Sequence, residues 1–372
     1  MKFAGVVGQE AAKAHIAALA GGGRLPHAML LAGPQGSGKL ALAMAVAEHL
    51  LSAADGASNA GAMLRELTHP DLHFAYPVVR PAGTSADHKM ASSDFATQWR
   101  DTLARSRYFT MDQWLAAMGA ANQQAQIGAG DSEELSRSLA LKPAYGGHKV
   151  CIVWAAERMN TECANKLLKL LEEPPEKTTF ILTTENPGAM LDTILSRTQR
   201  IRVPRIAAED IAAELQRARG IGPEEARRIA RTAQGSWTAA LQTLGDGGEG
   251  ADFLAMFQAL TRAAYTKDVR KLKAWADSAA EMGRERQRRF IDYFARMVRE
   301  NFAHNFRLPE ITYMTREEEG FAANFARFVN EGNVKGLLAI ADRAKRDIGQ
   351  NANPKMVFFD TALAATVLIR RQ

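Results

Sequence analysis

Two hydrophobic patterns divide the chain. Up to about residue 205, short continuous apolar runs alternate with segments of helical period; beyond it, helical spacing continues almost without interruption. The stretch HAMLLAGPQGSGKLALAMAVAEHLL predicts a buried strand over Ala28 to Ala32, a glycine-rich turn, and a helix from about Lys39 to Ser52. HKVCIVWAAERMN predicts a second buried strand through Val150, Cys151, Ile152 and Val153. In TECANKLLKLLEEPPEKT, apolar Ala164, Leu167, Leu168 and Leu171 keep helical spacing until Pro174 and Pro175 stop the helix. TTFILTTENPG adds a third strand that ends in a turn. Strands and helices in alternation over residues 1–205 predict an α/β module, a parallel sheet with helices on both faces.

Residues 53–131 interrupt that alternation. The loop-rich ADGASNAG, PAGTSADHK and GAGDS surround SSDFATQWRDTLARSRYFTMDQWLAAMG, which reads as an insertion carrying helices. Its aromatic residues Phe95, Trp99, Tyr108, Phe109 and Trp114 have the spacing of core side chains. From residue 206 the chain predicts helices only: a small domain over 206–246 and a larger one over 247–372, with GDGGEG at 245–250 as the linker. Asn353 before Pro354 marks the start of the last helix, and no internal repeat is visible.

At 372 residues, 47% hydrophobic and 24% charged, the chain exceeds one ordinary core and has the balance of a soluble modular protein. No run of apolar residues is long enough for a membrane span, and MKFAGVVGQEAAKAHIAAL has neither the apolar core nor the cleavage site of a secretory signal. A cytoplasmic protein with no membrane partner is expected. Cys151 and Cys163 are too few for a disulfide framework and are expected to be buried thiols. The net charge of +6 is spread along the chain, so it permits nucleic-acid contact without specifying it.

Candidate chemistry centres on GPQGSGKL. Gly33, Gly36 and Gly38 let backbone N–H groups approach phosphates, and Lys39 can supply positive charge, in the strand-to-helix context that such a loop needs. The next position should be Ser or Thr, whose hydroxyl helps hold magnesium, and it is Leu40. Past the second strand, Trp154, Ala155 and Ala156 can neither ligate a metal nor take a proton. Glu157 is the nearest acid, placed in the following turn, where starting a helix or facing solvent is the alternative to catalysis. His69 and His73 in HPDLH are four apart, too few ligands for a metal site. Arg284, Arg286, Arg288 and Arg289 in GRERQRRF read as a solvated helix face rather than a phosphate contact. Glu172 and Glu173 sit in the last turn of their helix, against its dipole, so they are candidates for an ion pair or interface, or simply a solvated helix end.

Taken together, GQE at 8–10, HAMLLAGPQGSGK, NKLLKLLEEPPEKTTFILTTENP and TILSRTQRI resemble the AAA+ clamp-loader family, in the delta-prime branch of bacterial DNA polymerase III. The likeness is strong over residues 1–205 and weaker beyond. It implies a RecA-like AAA+ module, a small helical lid and an all-α collar that joins five subunits into an open ring. ATP-hydrolysing members of the family carry Ser or Thr after the loop lysine, an acidic pair closing the second strand and an arginine in a lid motif GSxRDAL. Here those positions hold Leu40, then Trp154 and Ala155, then Thr238 in GSWTAAL. The resemblance therefore implies a non-hydrolysing stator within the DNA polymerase III holoenzyme, helping to load the sliding clamp onto primed DNA. Gly33, Gly36, Gly38 and Lys39 are left either to bind ATP or ADP weakly or to keep a turn that packs well; no cofactor is required. The four zinc-binding cysteines of many relatives are absent, and no zinc is expected.

Arg197 in TILSRT matches the arginine of the family's SRC motif, which reaches the ATP of a neighbouring subunit; Thr198 stands for the motif's Cys. The partners implied are the ATPase subunits and the delta subunit of a five-subunit ring, the sliding clamp, and primer-template DNA reached through the complex. The alternative is an active AAA+ ATPase, a motor subunit that uses Lys39 with other metal ligands.

Overall fold

The computed structural model describes residues 3–52, 60–81, 83–85, 87–120, 123–145, 147–245, 249–308 and 311–369. The chain divides into two compact units, Met1–Ala240 and Leu241–Gln372. Residues 206–240 thus belong to the same unit as the α/β module.

The first unit is built on five parallel strands, β1 (Ala28–Ala32), β2 (Leu72–Ala75), β3 (Lys149–Val153), β4 (Thr178–Thr184) and β5 (Gln199–Arg202), in the order β2-β3-β4-β1-β5. β1, β3 and β4 are buried along their whole length: the apolar runs Ala28–Ala32, Val150–Val153 and Phe180–Leu182 fill the sheet, and Lys149, Thr178, Thr179, Thr183 and Thr184 are buried polar ends. Helices α1 (Glu10–Gly21), α2 (Lys39–Ser52) and α3 (Ala60–Arg65) precede β2; α4 (Ala96–Arg105), α5 (Met111–Ala117) and α6 (Ala129–Ala140) lie between β2 and β3. α7 (Thr161–Glu172) follows β3, and the short α8 (Asp192–Leu195) follows β4. After β5 come α9 (Ala208–Arg219), α10 (Pro223–Thr232) and α11 (Trp237–Gly245). This is the α/β module with a parallel sheet that the alternation of strands and helices predicts.

Alternation along the strands separates two cores. Leu30, Cys151, Val153, Phe180 and Leu182 pack with Leu135, Leu139, Leu167 and Leu171 of α6 and α7. α2 packs against β1, β3 and β4 and is apolar nearly all round, so even Leu40 and Ala41 at its start are buried. Asn160 caps α7 by accepting from Cys163 N at 2.8 Å. Cys151 and Cys163 are free and buried, and burial pushes both thiols up.

The insertion departs from expectation in one respect. It carries helices, but it also supplies β2, which pairs with β3 alone and forms one edge of the sheet. Four residues with His73 among them have too little apolar alternation to announce a strand; pairing with β3 selects it. Phe95, Trp99, Tyr108 and Trp114 are buried there, with Trp99 stacked on Tyr76 at 3.9 Å and edge-on to Trp114 at 5.1 Å.

The second unit is helical: α12 (Glu249–Thr266), α13 (Val269–Glu281), α14 (Arg284–His304), α15 (Arg316–Phe325), α16 (Val334–Gly349) and α17 (Pro354–Ile369). Phe257, Phe290, Phe294, Met297 and Phe358 form its centre. Buried Glu318 pairs with Arg296 and also caps α15 by accepting from Thr315 N at 2.9 Å. Asn353 caps α17 by accepting from Lys355 N at 3.0 Å. Of the linker at 245–250, Gly245 ends α11 and Glu249 begins α12, while 246–248 lie outside the described residues. No helix among the described residues is long and apolar enough to cross a membrane.

Candidate functional site

The glycines of the loop between β1 and α2 are demanded by geometry. Gly36 and Gly38 have φ of 75° and 95°, where side chains other than glycine are strained. A Cβ on Gly36 would lie 2.0 Å from Ser236 Oγ and 2.3 Å from Thr238 Oγ1, and one on Gly33 would lie 1.9 Å from the Val203 carbonyl oxygen. Trp237 N donates to Gly36 O at 3.0 Å, so the GSWT segment sits directly on the loop. Gln9, left-handed at φ 65°, donates through Nε2 to Ser37 O at 3.0 Å and Pro204 O at 2.6 Å. Tyr108 reaches in from the insertion: its hydroxyl accepts from Val7 N at 2.9 Å and would meet a Cβ on Gly38 at 2.9 Å. Its ring stands edge-on to Trp237 at 6.4 Å.

Lys39 is buried and donates through Nζ to the loop's own carbonyls, Gly33 O at 2.8 Å and Pro34 O at 2.7 Å. Burial lowers its pKa, and the carboxylates of Glu185 and Glu157 act in the opposite direction. Glu185 Oε1 is 3.9 Å from Nζ. Glu157 accepts from Glu185 N at 3.2 Å through Oε1. Glu157, the nearest acid in the sequence, acts on Lys39 from the short turn after β3, and Glu185 at the end of β4 is a second carboxylate there that the sequence reading did not name. Both face the ammonium. Leu40, 5% exposed, brings no oxygen to the position after Lys39. Trp154 packs on Phe109 at 5.0 Å, and Ala155 takes a left-handed turn with its N–H donated to Thr183 Oγ1 at 3.2 Å.

Arg197 occupies the other end of the sheet. Met29 pairs in register with Gln199 and Ala32 with Arg202, so residue 197 lies beyond the N-terminal end of β5 while the loop leaves the C-terminal end of β1. At about 3.3 Å per residue the separation is roughly 15–20 Å, beyond the reach of one side chain. Thr198, buried, fixes the turn beneath Arg197 by donating to Ile194 O at 3.0 Å and Leu195 O at 3.3 Å. The guanidinium is half-exposed. Its Nη1 donates to Thr193 O at 3.0 Å and lies 3.3 Å from Ser196 Oγ, and Nη2 is 2.6 Å from Glu172 Oε1. Of the acidic pair at the end of α7, Glu172 therefore has an ion-pair partner, and Glu173 is exposed.

The remaining candidates stay apart. His69 and His73 flank the start of β2, with His69 Nδ1 accepting from Asp71 N at 3.1 Å; among the described residues no three His, Cys, Asp or Glu side chains gather as metal ligands. The arginines of GRERQRRF are half-buried rather than a solvated face. Arg286 pairs with Asp252 at 2.7 Å, and burial pushes Arg289 down to about 10. The tertiary contacts of the loop with Gln9, Tyr108, Ser236 and Trp237 have no local signal. Glu185 had one: it is the first residue past a strand next to β1, at the carboxyl end of a parallel sheet, where ligands bind.

Residues 8–207, more than half of the chain, match the family described as "DNA polymerase III, delta subunit". The DNA polymerase III subunit delta' of Bacillus subtilis (strain 168) is 31% identical over 184 residues, covering 48% of this chain and 42% of that protein. Its counterpart in Pseudomonas aeruginosa is 31% identical over 214 residues, 56% of this chain and 52% of the relative. The subunit gamma/tau of Mycobacterium tuberculosis (strain ATCC 25618 / H37Rv) is 31% identical over 196 residues, 53% of this chain and 27% of the relative. Among solved structures, a DNA polymerase III gamma subunit-related protein from Thermotoga maritima is similar at 16% identity and a TM-score of 0.36, covering 93% of this chain and 96% of that one. The chain spans from about a quarter to about half of the length of these curated relatives. By the match over residues 8–207, which includes the glycine loop, the LLEEPP helix and the turn of Arg197, this chain belongs to the DNA polymerase III delta subunit family of clamp-loader proteins.

Proposed function

We propose that the chain serves in DNA replication as a delta-prime-like stator: a clamp-loader subunit that does not itself hydrolyse ATP and that presents Arg197 to nucleotide held by a neighbouring ATPase subunit. The reading is carried by residue 40. A buried leucine at the start of α2 offers magnesium no oxygen, and without the metal the β- and γ-phosphates lose the charge that makes transfer possible. Leu40 leaves the loop without the hydroxyl that would help hold a magnesium nucleotide. Glu185 and Glu157 favour the charged form of Lys39, and Thr238 touches Gly36 with a hydroxyl where the family's motors carry a guanidinium. No zinc is invoked.

The position of Arg197 supports action in trans. It lies too far from its own loop to serve it, yet it stands on a braced turn with its guanidinium half-exposed. A guanidinium brought to a γ-phosphate stabilises transition-state charge. The proposed partners are the ATPase subunits and delta subunit of a ring that opens the sliding clamp at primer-template DNA, in the cytoplasm.

The test is ATP hydrolysis by the complex rebuilt with its ATPase subunits, clamp and primed DNA. Arg197→Ala should lower turnover, Lys39→Ala should leave it unchanged, and the isolated chain should be inert. Hydrolysis by the isolated chain that disappears in Lys39→Ala would make the protein a motor and overturn the reading.

A further inference from the structure

We propose that Glu172 is the positioning residue of Arg197, a role that rests on the reading of Arg197 as a group acting on a neighbour's nucleotide. Three observations meet here. First, the carboxylate approaches Nη2 at 2.6 Å while Nη1 is tied to Thr193 O at 3.0 Å, so the two terminal nitrogens of the guanidinium are held from opposite partners. Two such ties set the plane of the fork as well as its place.

Second, Glu172 closes α7, where a negative charge opposes the helix dipole. A carboxylate at that point is unfavourable for the helix alone, and its compensation is the cation 25 positions further along the chain. Third, the pair is half-exposed on both sides, 36% for the Arg197 side chain and 48% for Glu172. An exposed pair contributes little to stability, so holding the fold together does not account for it. What it does provide is order. Arg has many rotamers, and a finger that must meet a phosphate works best when those rotamers are already reduced to one. Glu172 supplies the lateral tie, and Thr198 with buried Ile194 supplies the rigid base. These ties leave the Nε–H and the second N–H of Nη2 to donate to an acceptor on a neighbour.

The experiment is a mutant cycle in the rebuilt complex, with kcat and KM for ATP followed separately, and with assembly and thermal midpoint checked for each variant. Glu172→Ala is expected to lower kcat by about tenfold with KM unchanged, because orientation rather than nucleotide binding is lost. Glu172→Gln, which keeps the acceptor oxygen, should recover most of that loss. Glu172→Ala combined with Arg197→Ala should be no slower than Arg197→Ala alone. If Arg197→Ala slows turnover but Glu172→Ala leaves it unchanged or raises it, the positioning role is wrong and the finger stands. An equal loss from Glu172→Ala in the Arg197→Ala background also overturns it, since Glu172 would then act elsewhere. If Arg197→Ala itself has no effect, the finger reading falls and Glu172 falls with it.

Discussion

The two ends of the sheet in the first unit carry opposite chemistry. At the carboxyl end, a loop with the outline of a phosphate site is turned inward: Lys39 bonds to Gly33 O and Pro34 O, Gln9 to Ser37 O, and Trp237 to Gly36 O. At the amino end, half-exposed Arg197 stands on a turn held by Thr198 to Ile194 O, with its guanidinium tied to Thr193 O and Glu172. On the proposed reading, the contrast teaches that a motif can outlast one use because of another. The glycines and lysine of the loop are held by contacts with Gln9, Tyr108, Ser236 and Trp237 and with the loop's own carbonyls, whereas the guanidinium at the rim of the sheet is half-exposed and tied to Glu172 and Thr193.

The sharpest way to break that comparison is Arg197→Lys. Lysine keeps the charge but not the planar fork, so single-turnover hydrolysis at the neighbouring site in the rebuilt complex should fall by about 10²-fold or more; wild-type rates would mean that Arg197 does not act on a neighbour's nucleotide. Next in size is Gly36→Ala. Its left-handed φ and the 2.0 Å and 2.3 Å contacts of an added Cβ should cost about 2–4 kcal/mol in denaturant unfolding. A neutral result would show that the loop and the GSWT segment are not locked together.

A smaller effect is expected of Leu40→Thr, which restores the hydroxyl that the loop lacks. It should cost about 1–3 kcal/mol through lost burial, and the isolated chain should still not hydrolyse ATP. Magnesium-dependent turnover in that variant would place the loop one residue from function and erase the difference between the two ends.

The smallest effect concerns the frame between them. Asp131, buried at the start of α6, accepts from Ser92 N at 2.7 Å and Gly128 N at 3.0 Å, yet burial raises its pKa from 3.8 to about 6. The folded state therefore holds this proton more tightly than the unfolded chain. The stabilising contribution is full below pH 3.8 and disappears as pH rises through about 6. Over that window the contribution should fall by at most about 2–3 kcal/mol, and Asp131→Asn should remove that slope from the stability profile measured by urea unfolding.

Much of this was legible in the chain itself. Short apolar runs specified β1, β3 and the centre of β4, and an apolar helix after GPQGSGK specified α2, because a strand or helix covered on both sides favours apolar residues at its centre. Leu40 and Arg197 could be singled out from their neighbours in sequence alone. The pairing of Glu172 with Arg197, the arrival of Tyr108 at Gly38 from the insertion and the choice of Leu72–Ala75 as an edge strand could not. Periodicity reports the dihedral angles and burial of one segment at a time. Which distant segments meet depends on the order β2-β3-β4-β1-β5, and that order is set by the packing of the whole sheet, so the loop's closure and the arginine's brace were decided only in three dimensions.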